Sequence, residues 1–93
     1  MRGSEIVRVN EKDHHVRCYD LPAFGDRYTV VYMDQPRERN RSYQCVAMSE
    51  APYDPRGLGY HCTAILGPHL GRRIPFETLP ANCQWFVKDD LEQ

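Results

Sequence analysis

The densest apolar run in the chain is residues 27–34, Arg27-Tyr28-Thr29-Val30-Val31-Tyr32-Met33-Asp34, where β-branched and aromatic side chains fall in both alternating sets of positions. A strand wetted on one side alternates apolar with polar. A run that is apolar at both parities suits an interior strand, covered on one face and partly on the other. The pattern therefore predicts a central strand here, with the rest of the chain paired to it or packed over it. Before it, residues 5–9 alternate weakly and end at the turn-forming cluster Asn10-Glu11-Lys12-Asp13, and residues 14–19 return as a second strand. Residues 20–26, punctuated by Pro22 and Gly25, read as a loop.

Beyond the central strand, residues 35–40 hold Pro36 and three charges and read as a hairpin connection to a return strand over 41–49. Pairing Asp34 with Arg41 opposes Tyr32 to Tyr43, Val30 to Cys45 and Tyr28 to Ala47. This more apolar set is expected to face the core. The other face, with Thr29, Val31, Met33, Ser42, Gln44, Val46 and Met48, is mixed and expected to be partly shielded. Residues 50–59 form a long irregular loop in which Asp54-Pro55-Arg56-Gly57 has the order of a type I turn. Residues 60–66 resume as a strand, and 72–74 form a short edge strand before Pro75.

The one convincing helical period comes last. Thr78 is the expected N-cap, with Pro80 in the first turn, where its missing donor costs little. Leu79, Cys83, Phe86, Val87 and Leu91 then recur as one stripe, with Trp85 placed next to it. Asp89, Asp90 and Glu92 oppose the helix dipole, so the C-terminal end is expected to fray. The fold class expected is α+β: a small antiparallel sheet of four to six strands with one C-terminal α-helix packed on one face. Ninety-three residues make a single globular domain spanning 1–93, since no material remains for a second core.

Charge narrows the candidate functions. A formal net charge of −1 argues against blanket attraction to nucleic acid or anionic membrane. No segment approaches the roughly 20 apolar residues of a membrane helix, and the N-terminus lacks the apolar region of a secretory signal. The expectation is a cytoplasmic protein with no membrane partner, its cysteines kept as thiols. Met1-Arg2-Gly3-Ser4 fits native or appended sequence, and nothing is rested on it.

Candidate chemistry is sparse. Cys18, Cys45, Cys62 and Cys83 are scattered without a Cys-x-x-Cys pair, and the adjacent pairs His14-His15 and His61-Cys62 point to opposite faces of a strand. Neither a metal site nor a cofactor is expected. Cys45 and Cys83 are expected in the core. Gly57-Leu58-Gly59 lacks the third glycine and the following helix of a phosphate-binding loop. In the 50–61 segment, His61 with Glu50 or Asp54 has the composition of an acid–base site. Tyr53, Arg56, Tyr60 and Trp85 are candidate binding residues. Arg37, Arg39 and Arg41 form a basic hairpin tip that could hold nucleic-acid phosphates.

Six tyrosines, three phenylalanines and Trp85 exceed what one helix over one small sheet readily hides. The leading expectation is a small non-catalytic interaction module, self-associating or docking a protein partner. The alternatives are a nucleic-acid-binding domain using the arginine tip, and a small enzyme or ligand-binding domain at the 50–61 loop.

Overall fold

The computed structural model describes residues 3–22, 27–37, 41–49 and 59–92. Strands β1 (Glu5–Val9) and β2 (Lys12–Asp20) open the chain as a hairpin, joined by Asn10 and Glu11 at φ 51° and 66°. Two successive left-handed residues are what a two-residue primed turn requires to match strand twist. β3 (Tyr28–Tyr32), β4 (Tyr43–Met48) and β5 (Gly59–Ala64) follow as antiparallel neighbours in the order β1-β2-β3-β4-β5. The short β6 (Arg72–Ile74) shares the outer edge of β2 with β1: β1 takes residues 12–16 and β6 takes 18–20. The helix α1 (Ala81–Glu92) packs on the sheet. The protein is thus a small α+β fold with an antiparallel sheet and one C-terminal helix. No helix among the described residues is long and apolar enough to cross a membrane.

β3 is an interior strand with β2 and β4 on either side, as its double apolar pattern predicts. The register of its hairpin differs from the expected one by one residue. Tyr28 opposes Met48, Val30 opposes Val46 and Val31 opposes Cys45. Tyr28, Val30 and Tyr32 do face the helix-side core, but their β4 companions there are Val46 and Met48. Cys45 lies on the opposite face. The reason lies where β3 ends. Met33 donates its amide to the His15 carbonyl, and the Asp34 carboxylate accepts from the His15 amide, so the chain stays tied to β2 instead of turning tightly onto Arg41. Arg41 sits at φ 66°, and its carbonyl accepts from the Arg37 guanidinium. A longer connection re-phases the return strand, and a one-residue slip moves every β4 side chain to the other face.

Both faces of the sheet carry a core. On the helix side, Cys83, Val87 and Leu91 of α1 meet Val7, Val16, Val30, Val46 and Met48, with Phe76 and Leu79 closing one end. On the other side, Tyr19, Val31, Met33 and Cys45 are buried beneath Leu66 and Leu70, the latter closing a 3₁₀ turn at Pro68–Leu70. The chain therefore leaves β5, crosses this second face to reach β6, and returns over the first face as α1. At the crossing, Gly71 sits at φ 101°, and a β-carbon there would lie 2.3 Å from the Asp20 carbonyl oxygen. With Tyr19 covered by this second layer and Tyr28 and Tyr32 covered on the helix side, three tyrosines are buried where the sequence led us to expect more aromatic surface.

The helix begins later than expected. Thr78 is not its N-cap: residues Phe76–Thr78 form a 3₁₀ turn, and the Thr78 hydroxyl donates to the Pro75 carbonyl. The Pro80 carbonyl accepts the first helical bond, from Gln84, whose side chain reaches back to the carbonyls of Glu77 and Leu79. The apolar stripe is as expected. Trp85, however, points away from the sheet and is 64% exposed.

Candidate functional site on strand β5

β5 reads Gly-Tyr-His-Cys-Thr-Ala, and alternation sends neighbouring side chains to opposite faces. His61 opposes Val46 and lies on the helix side; Cys62 opposes Cys45 and lies on the other. The sequence-level argument that His61 and Cys62 cannot serve one site holds in the fold.

On the helix side, Asp90 of α1 bridges two strands. Its carboxylate accepts from the Tyr32 hydroxyl at 2.7 Å and meets His61 Nε2 at 2.6 Å. Tyr32 is fully buried, and burial followed by the adjacent Asp90 pushes its phenol far above the ordinary tyrosine range, so it stays protonated and donates. The His61 side chain is 68% exposed. Asp90 was expected only to unsettle the helix terminus. Its two partners instead hold that end, and the helix continues through Glu92 with Leu91 buried.

On the other face, Cys45 and Cys62 stand directly across β4 and β5 with their sulfurs 2.7 Å apart. None of the four cysteines is bonded to another in this structure. The Cys45 thiol is held well above the ordinary cysteine range, first by its hydrogen bond to Cys62 and then by burial. Cys83 is completely buried in the helix-side core, as expected, and donates to the Ser49 carbonyl at 3.7 Å. No group of three or more His, Cys, Asp or Glu among the described residues is placed to hold a metal ion.

The remaining candidates divide by location. Glu50, Tyr53, Asp54 and Arg56 lie outside the described residues, as does Arg39. Among the described residues, the acid–base partner that the fold brings to His61 is Asp90, 29 positions away and on another element. Arg37 stacks its guanidinium 4.4 Å from the centre of the Tyr43 ring. Arg41 is exposed. Tyr60 is 44% exposed on β5, and Ile65, just beyond the strand, is 57% exposed. Grooves of about 420 and 510 Å³ are lined by other residues: Arg17, Tyr19 and Arg73 in one, Ser42, Thr63 and Leu70 in the other.

Neither the Asp90 bridge nor the paired thiols were legible in the sequence. Both depend on register and on which face each element presents. The strand read over 60–66 was the available signal, and it fixes facing without naming the neighbours. No protein-family model matches the chain, and no curated protein or solved structure gives a significant match.

Proposed function

We propose that the domain is a non-catalytic interaction module that pairs with a second copy of itself, β5 against β5 in antiparallel fashion, so that two sheets join into one. The observation that supports this reading is the character of the β5 edge. β4 occupies one side of the strand, and among the described residues no strand occupies the other. Natural edges are protected by charged side chains, proline or bulges. Gly59–Ala64 contains no Lys, Arg, Asp, Glu or Pro, and exposed Tyr60 and Ile65 lie at its two ends. A two-fold axis across such a strand brings no like charges together, and pairing satisfies the outer backbone groups of both copies. Additional burial matters for a chain of 93 residues, which covers a smaller share of its surface than a larger domain does.

Sedimentation velocity over a concentration series tests the reading. The expected result is a monomer–dimer equilibrium that Tyr60→Lys and Ile65→Lys displace strongly toward monomer, while Trp85→Lys on the outer face of α1 leaves it unchanged. A strict monomer at every concentration would remove the proposal. So would a dimer indifferent to both β5 substitutions and dissolved by Trp85→Lys.

A further inference from the structure

We infer that Cys45 and Cys62 form a reversible cross-strand disulfide, which makes the β4–β5 ribbon a site of oxidation by small disulfides of the glutathione class. The inference does not depend on dimerisation.

Register and access carry it. The two residues are direct partners on adjacent antiparallel strands, with sulfurs 2.7 Å apart on the same face. Directly opposed residues hold their β-carbons about 4.5–5.5 Å apart, and a disulfide needs about 3.5–4.5 Å. The adjustment is therefore small, and β5, paired on one side only among the described strands, is the strand able to make it. Access is asymmetric. Cys18, Cys45 and Cys83 are buried, whereas Cys62 is half-buried and so is the sulfur an external reagent meets.

The chemistry follows from that asymmetry. The Cys62 thiolate attacks one sulfur of oxidised glutathione, the glutathione S–S bond breaks, and the first glutathione leaves as a thiolate and takes up a proton. Cys45 then gives its proton to water and attacks the Cys62 sulfur, expelling the second glutathione. Two protein S–H bonds and one glutathione S–S bond become one protein S–S bond and two glutathione S–H bonds, with two electrons passing to glutathione.

The test is equilibration of the folded chain in glutathione buffers from reducing to oxidising, with acid quench, alkylation, digestion and mass spectrometry. The expected product at the oxidising end is a peptide pair joined through Cys45 and Cys62, with Cys18 and Cys83 alkylated after denaturation, and the link reverses on return to reducing buffer. Cys45→Ser should stop at a glutathione adduct on Cys62, and Cys62→Ser should gain no adduct at Cys45. Protection of Cys18 and Cys83 from alkylation under native conditions confirms that each variant is folded. The wild-type cross-link map does not depend on either variant. Two thiols at Cys45 and Cys62 at every buffer composition would overturn the inference. Accumulation of the Cys62 adduct in wild-type protein without the internal link would do the same.

Discussion

Asp20 draws two arginines to one buried carboxylate. Its buried carboxylate accepts from Arg27 Nε at 2.7 Å and from the same guanidinium's Nη2 at 3.1 Å, and Arg72 approaches to 3.8 Å. The Leu21 amide donates to the Arg27 carbonyl alongside, so the pair closes the mouth of the β2–β3 connection. The Arg27 hydrogen bonds hold the Asp20 carboxyl below the ordinary carboxylate range. A carboxyl whose folded-state pKa is depressed adds stability that is present above its unfolded value, about 3.9. That contribution is lost as pH falls toward the folded value. Asp20→Asn should therefore unfold more easily at neutral pH and show a flatter loss of stability below about pH 4, which denaturant titrations at a series of pH values would measure. An unchanged acid limb would show that Asp20 is not the group responsible. At this scale the sequence was mute: Asp20 read as the first residue of a loop, and nothing local indicated a partner seven positions on.

At the scale of elements, local pattern was informative wherever local forces decide. The β1–β2 hairpin was readable because the cluster Asn10–Asp13 sits between two runs, although Lys12 and Asp13 belong to β2 and the turn itself is only Asn10-Glu11. Glu11 is nonetheless a poor occupant of φ 66°, since a non-glycine residue there carries about 1–2 kcal/mol of steric cost. Glycine would remove that cost and would add about 0.5–1 kcal/mol of unfolded-state entropy to be lost on folding. Glu11→Gly should stabilise the fold by roughly 0.5–1 kcal/mol, read as a higher denaturation midpoint at unchanged slope. Destabilisation would mean that the Glu11 side chain makes a contact worth more than the backbone strain. The helix stripe was legible for the same reason. Its start was not, because Thr78 belongs to the 3₁₀ turn just before the helix and its hydroxyl is spent on the Pro75 carbonyl.

At the scale of the molecule, the two cores share one sheet but differ in closure. Met48 on the helix side has no exposed surface, and Met33 on the other side retains 8%. Truncation of a buried methionine to alanine costs about 2–5 kcal/mol, more where the surroundings cannot relax into the void. Met48→Ala should fall in the upper part of that range and Met33→Ala near its lower end. Both should unfold in one transition by circular dichroism and fluorescence, since β2, β3 and β4 contribute to both cores. A biphasic transition in either variant would show that the 65–74 crossing unfolds apart from the helix-side core.

The sequence by itself determined the class of the fold: which segments extend, which segment coils, that the middle of the 27–34 run lies inside a sheet and that the helix carries one apolar stripe. Those properties follow from steric preference and side-chain period, which act between near neighbours. Tertiary structure decided the phase of β4, the second core beneath Leu66 and Leu70, and the meetings of Asp90 with His61 and of Cys45 with Cys62. Each of these turns on how far a connection runs before the chain pairs again, and one residue more or less exchanges the two faces of a strand.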